Sequence, residues 1–305
     1  MISILKENKF QSLLINLKGV CVLAQLLDGK AVSKIMKEEI REEIAQWKEK
    51  GVQPKLAVIL VGDDPASVVY ARSKQKVCEG IGMAFELFTM PGSTPEADIL
   101  AKIESLNNDQ NVHGIMIELP LPKGISKEKV MAAVRPEKDV DGVHPINRGY
   151  ILSGEEGLFP ATPQSCIELL LRSGVEIAGK HVVIVGRGET VGKPLVFLIL
   201  KHNATVTICH SKTPDLGAHT RQADILIAAV GRAKLIKKDM VKAGAIVVDA
   251  GINEIPEGIC GDVDFEAVQE VADRISPVPG GVGSLTTALI MRNVLKGIVL
   301  QGGTR

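Results

Sequence analysis

Tyr70 and Lys74 stand four residues apart in the stretch VGDDPASVVYARSKQKVCEGIGM. On a helix that spacing puts a phenol and an amine on one face, one turn apart. Such a pair can stack on a flat heterocycle and move a proton beside it. Alone, the Y-x-x-x-K pattern more often means a packed tyrosine and a snorkelling lysine. Here it follows the apolar run KLAVILV and a loop at 62–65, which is where parallel-sheet proteins bind ligands.

A second group lies in HVVIVGRGETVGKP. Gly186 and Gly188 sit between an apolar run and a helical segment, where a glycine turn lets backbone N–H groups approach a pyrophosphate. Gly192 falls one residue late for G-x-G-x-x-G. After the next apolar run the chain reads CHSKT, with His210, Ser211 and Lys212 and no carboxylate before Asp215. An NAD site usually puts an acid there for the ribose hydroxyls. Cations and hydroxyls, with Arg187 in the glycine turn, suit the 2′-phosphate of NADP instead.

Elements that position these groups alternate between two periodicities. GKAVSKIMKEEIREEIAQWKEKG spaces Val32, Ile35, Met36, Ile40, Ile44 and Trp47 as an amphipathic helix. KLAVILV, AFELFTM and HGIMIEL read as buried strands separated by helices, which predicts βαβ units and a parallel sheet. INRGYILSGEEGLFPATPQSC reads as a connector leading into a helix from Pro163. Beyond it, further strands at HVVIV, ATVTIC, ADILIAAVG and GAIVVDAGI predict a second parallel sheet. SPVPGGVGSLTTALIMRNVLKGI then predicts a loop entering an apolar helix that returns to the first domain.

Composition excludes several classes. The chain has 305 residues, 45% hydrophobic and 24% charged, with 36 basic against 36 acidic side chains, which describes a globular protein acting on small molecules. Neither nucleic acid nor a membrane is expected as a partner, because the charge is balanced and has no dense basic block. Cys21, Cys78, Cys166, Cys209 and Cys260 are scattered and never form C-x-x-C. This argues for a reducing cytoplasm and against a disulfide framework or metal site. The leading segment is too interrupted to span a membrane and makes a poor transit peptide.

The ordered stretches VGDDPAS with Tyr70 and Lys74, ELPLP, KDVDG, GR with VGKP, HSKT, DAGIN and PVPGGVG resemble one family. It is the bifunctional methylenetetrahydrofolate dehydrogenase/methenyltetrahydrofolate cyclohydrolases, and the likeness runs from about Gln25 to the C-terminus. The resemblance implies an α/β fold of two parallel-sheet domains, the second Rossmann-like and NADP-binding, with the C-terminal helix packed back on the first. It implies oxidation of 5,10-methylenetetrahydrofolate by NADP and hydrolysis of the product to 10-formyltetrahydrofolate, in one-carbon metabolism, by a cytoplasmic homodimer. Residues 23–159 with a returning helix in 285–305 are then expected to form the folate domain, and 160–284 the NADP domain. Residues 1–22 are expected to be an appendage. Family members start near AQLLDGKAV, so 1–21 reads as upstream translation ahead of a start codon at Val22.

Carried over by position, the resemblance implies Tyr70, Lys74, Glu118 and Asp141 as catalytic. Tyr70, Ser67, Asp141, Pro279, Gly280 and Gly281 would meet the folate, and Gly186, Arg187, Gly188, Ser211 and Ile252 the cofactor. The sequence departs from the family at Glu118, where an amide is usual, and at Gly188, Ala161, Ser284 and Leu285. Glu118 is expected to engage Lys74 and to weaken hydrolysis while sparing oxidation, leaving a monofunctional dehydrogenase as the alternative. A dehydrogenase of similar shape for another small substrate, or an inactive binding paralogue, are the other readings. The complete KDVDG and PGGVG loops weigh against the first, and Tyr70, Lys74 and Asp141 against the second.

Overall fold

The computed structural model describes residues 23–303, so the expectations for the leading segment lie outside the described residues. Helix α1 (Gly29–Glu49) starts where the Asp28 carboxylate accepts a hydrogen bond from Ala31 N, and it buries Val32, Met36, Ile40, Ile44 and Trp47. Ile35, expected on that face, is exposed. Strand β2 (Lys55–Val61) is buried along nearly its whole length. Helix α2 (Pro65–Ile81) is capped by Asp64 and ends at Gly82 in the left-handed conformation. Strand β3 (Ala84–Met90), helix α3 (Glu96–Asn108), strand β4 (Gly114–Ile117) and the short helix α4 (Lys127–Ala132) follow. They complete a parallel three-stranded sheet in the order β3-β2-β4.

The expected connector differs from the sequence reading. It holds helix α5 (Pro145–Ser153), begun by the His144 cap with Pro145 in the first turn and closed by Gly154. Helix α6 (Ala161–Arg172) begins two residues before Pro163 because Pro160 stands at its N-cap.

Next come β5 (His181–Val185), α7 (Gly192–Lys201), β6 (Thr205–Cys209), α8 (Leu216–Thr220), β7 (Ile225–Ala228) and β8 (Ile246–Asp249). A hairpin of β9 (Asn253–Ile255) and β10 (Gly258–Cys260), then α9 (Phe265–Val268) and β11 (Arg274–Ile275), lead to the last helix, α10 (Thr286–Leu300). Strand β1 (Gln25–Leu26) completes a parallel six-stranded sheet ordered β1-β11-β8-β7-β5-β6. Residues 25–26, expected with the first domain, are thus paired into the second sheet. Helix α10 lies against α1, α2 and α6. Among the described residues no helix is long and apolar enough to cross a membrane.

Candidate active site

The carboxyl ends of both sheets open on a cleft of about 1090 Å³. Its first wall carries Tyr70, Lys74 and Asp141, and its second carries Asp249, Gly251 and Ile252. Pro279, Gly280 and Gly281 lie between them. The α2 N-terminus is fixed by Asp64, whose carboxylate accepts from Ser67 N. This orients the helix so that Tyr70 is exposed into the cleft while Lys74, one turn on, is buried. The Lys74 ammonium lies 5.9 Å from the Tyr70 ring centre.

Lys74 Nζ donates to Glu118 Oε1 at 2.7 Å. Both side chains are nearly inaccessible, at 10% and 6%, so the pair is held in a region where attraction between charges is little screened. Glu118 is placed just beyond β4 by its own N–H, which bonds Ile59 O at 2.9 Å.

Asp141 is half-buried on the same wall. Burial is the main cause that pushes its carboxyl up to about 7; the like charges of Asp139 and Glu118 add to the rise and Lys74 opposes it. Neighbouring Asp139 instead holds the loop, accepting from His144 N and Asn147 Nδ2.

Ser67, expected against substrate, is buried beneath the cleft. Its hydroxyl lies 2.8 Å from Asp64 Oδ2 and 3.0 Å from Leu119 O. It braces the segment next to Glu118 because the cap geometry turns it inward.

On the second sheet, β5 and β6 run in register, with Val185 opposite Cys209. The glycine turn and the loop after β6 therefore share one edge, and Gly186 N bonds Cys209 O at 2.9 Å. Arg187, Gly188 and Ser211 are exposed at that edge. Gly186 has φ 125°, and a Cβ there would stand 2.0 Å from Ala229 O, so only glycine fits. At Gly188 no described atom lies within 4 Å of the Cβ position, which leaves the turn open on its outer side. Asp215 caps α8 through Ala218 N at 3.1 Å, so the first carboxylate after β6 is already engaged. The tight turn, its open face and the basic loop fit a 2′-phosphorylated dinucleotide.

Sequence reasoning missed three residues here. Asp249 and Asp262 are buried carboxylates at the base of the β9–β10 hairpin; an acid closing the apolar run GAIVVD at a strand's carboxyl end was the available signal. Arg148 lines the cleft from α5 and bonds Glu189 of the glycine turn at 3.1 Å. No motif marked it.

A lysine-bearing α/β lobe facing a dinucleotide-binding lobe across one cleft defines a two-domain oxidoreductase architecture. Matches to the tetrahydrofolate dehydrogenase/cyclohydrolase catalytic domain over residues 27–141 and to the NAD(P)-binding domain of the same family over residues 160–301 make it specific. The chain belongs to the tetrahydrofolate dehydrogenase/cyclohydrolase family. It is 81% identical to bifunctional protein FolD 2 of Desulfitobacterium hafniense strain Y51, over 92% of this chain and 98% of that one. The bifunctional FolD crystal structure from Campylobacter jejuni superposes with TM-score 0.89 at 45% identity, covering 91% of this chain and 99% of the other. The Trypanosoma brucei FolD, complexed with NADP cofactor and inhibitor, gives TM-score 0.86 at 33% identity, over 93% and 100% of the two chains.

Proposed function

We propose that this protein oxidises 5,10-methylenetetrahydrofolate to the 5,10-methenyl cation with NADP and hydrolyses that cation to 10-formyltetrahydrofolate. The observation that carries the reading is the buried Lys74, paired with Glu118 at 2.7 Å on the wall facing the Ile252 turn. When bound, NADP supplies the acceptor for the hydride that leaves the methylene carbon. Gly186, Arg187, Gly188, Ser211 and Ile252 are the residues proposed to hold it.

Tyr70 offers its ring face to the pterin, and the Asp141 carboxylate takes the paired N–H donors of the aminopyrimidine edge. The backbone at Pro279, Gly280 and Gly281 limits how the folate lies between the walls. Oxidation moves no proton, so its demand on the protein is position. Hydrolysis differs: water forms a C–O bond to the methenyl carbon and gives up one proton, and the ring C–N bond then breaks as the remaining hydroxyl proton passes to the leaving nitrogen and the formyl carbonyl forms. Lys74, with Glu118 beside it, is the group proposed to handle that proton. The same reading includes a homodimer working in a reducing cytoplasm, which the free thiols of Cys78, Cys166, Cys209 and Cys260 support.

The test is absorbance of NADPH formed from 5,10-methylenetetrahydrofolate, run with NADP and with NAD, on wild type and Arg187→Ala. Charge-assisted bonds to a 2′-phosphate are worth about 1.5–3 kcal/mol each, so wild type favours NADP by roughly tenfold or more and the variant loses most of that preference. No reduction of either cofactor overturns the function. Equal efficiency with both cofactors, unchanged in the variant, overturns the assignment of Arg187.

A further inference from the structure

Two carboxylates that the proposed reaction does not use lock the neck of the β9–β10 hairpin. Strand β8 ends at Asp249, and the hairpin returns the chain to Asp262. Asp249 Oδ1 accepts from Gly251 N at 2.9 Å and Asp262 N at 3.0 Å, and its Oδ2 accepts from Val263 N at 2.8 Å. Asp262 Oδ2 accepts from Val230 N at 2.6 Å and Gly231 N at 3.0 Å. Its Oδ1 accepts from Arg232 N at 2.8 Å and Asn253 Nδ2 at 2.9 Å. Asp249 therefore grips the segment that bears Asp262, Asp262 ties the loop after β7 to Asn253 at the start of the hairpin, and backbone amides supply nearly all the donors.

The fit is close from both sides. A Cβ on Gly251 would stand 2.3 Å from the Asp262 carboxyl carbon, and one on Gly261 would stand 1.9 Å from Asp249 Oδ2. The loop after β7, the turn after β8 and the far leg of the hairpin are joined at this point. All three lie at the carboxyl edge of the sheet, and the hairpin carries Ile259 beside Ile252 into the cleft. Ile252 is itself 62% exposed, so little side-chain packing holds it and its placement falls to the backbone beneath.

We propose that Asp262, with Asp249, is a positioning residue for the cofactor: the pair fixes the Gly251–Ile252–Asn253 turn and the loop at 230–232 in the shape that receives the dinucleotide. This rests on the cofactor assignment above. An asparagine at 262 cannot replace the acid. Each of the two oxygens serves two donors, so either orientation of the amide sets its NH₂ against two N–H groups.

The experiment is calorimetric titration of NADP into the full-length protein, with cyclohydrolase activity measured separately on 5,10-methenyltetrahydrofolate without cofactor. Three variants are compared with wild type: Asp262→Asn, the milder Asn253→Ala, which removes the amide that donates to Asp262 Oδ1 at 2.9 Å and to Cys260 O at 3.5 Å, and Asp264→Asn as a neighbouring control. The expected result is a Kd for NADP raised at least about tenfold in Asp262→Asn and about threefold in Asn253→Ala, with the control at the wild-type value. Cyclohydrolase activity per folded molecule stays within about twofold of wild type in both test variants.

An unchanged Kd in both test variants overturns the proposal, as does a parallel loss of cofactor affinity and cyclohydrolase activity. If Asp262→Asn does not fold, Asn253→Ala decides. Failure of wild type to oxidise substrate while it still binds NADP counts against the proposed function and leaves this inference standing or falling on the Kd values alone.

Discussion

Glu118 decides what Lys74 is free to do. With Nζ donating to Glu118 Oε1 at 2.7 Å in a buried pair, Lys74 must loosen that bond to take the proton from attacking water, which slows hydrolysis without stopping it. Oxidation has no such need. Glu118→Gln is therefore expected to raise the ratio of cyclohydrolase to dehydrogenase activity at least about threefold near neutral pH, measured by following both reactions in one preparation. Collapse of hydrolysis in that variant would instead make Glu118 the base. Asp141 supports a second prediction at this scale. Its carboxyl is raised from 3.8 to about 7, chiefly by burial, so in that window the folded chain holds a proton that the unfolded chain has lost. The stability this gives is present below the lower value and is lost as pH rises through the upper one. Asp141→Asn removes the titration. Relative to wild type it is expected to be more stable by about 1–3 kcal/mol above pH 7 and equal to it near pH 4, read from denaturant melts; a constant difference across that range would show that burial of Asp141 has no such cost.

Elements with strong periodicity were legible in the sequence, and those made by tertiary contact were not. KLAVILV and AFELFTM became β2 and β3 with the expected limits; central β2 is buried and so apolar almost throughout, while β3, at the sheet edge, is only half-buried and carries Glu86 and Thr89. Helix α5 hid inside a passage rich in glycine and polar residues. Its limits are set by Pro145, the His144 cap and Gly154 rather than by a long apolar stripe. Strands β1 and β11 are two residues each and exist only through pairing with their neighbours, so no pattern of their own could announce them. The same contrast holds at the site. Tyr70 and Lys74 are local on one helix and could be read from spacing. The Glu118 pair joins residues 44 apart and was anticipated only through the family resemblance. The cap role of Ser67, bonded to Asp64 and Leu119, was not read, because a capping serine and a substrate-binding serine look alike in sequence.

The whole molecule keeps its cleft open through helix α10 more than through contacts at the rim. Arg148 and Glu189 do bridge the walls, but their side chains are 41% and 60% exposed, and pairs so well solvated contribute little. Asn293 on α10 is different. It is buried, and its Nδ2 donates to Val140 O at 2.8 Å and Phe159 O at 2.9 Å. Val140 directly precedes Asp141, and Phe159 closes the segment that carries the chain to α6, so one amide joins the returning helix to both the folate wall and the crossing between sheets. Replacing it with leucine, close in size, leaves the Val140 carbonyl without a partner, at about 1–3 kcal/mol, while Phe159 O keeps Gln164 Nε2 at 2.7 Å. Asn293→Leu is expected to lower unfolding stability by about 1–3 kcal/mol and to weaken both activities together, since Asp141 loses its anchor. Arg148→Ala should leave the melt unchanged. Denaturant titration of the two variants beside wild type compares them, and a loss confined to Arg148→Ala would place the hold between the walls at the rim and not in the buried helix.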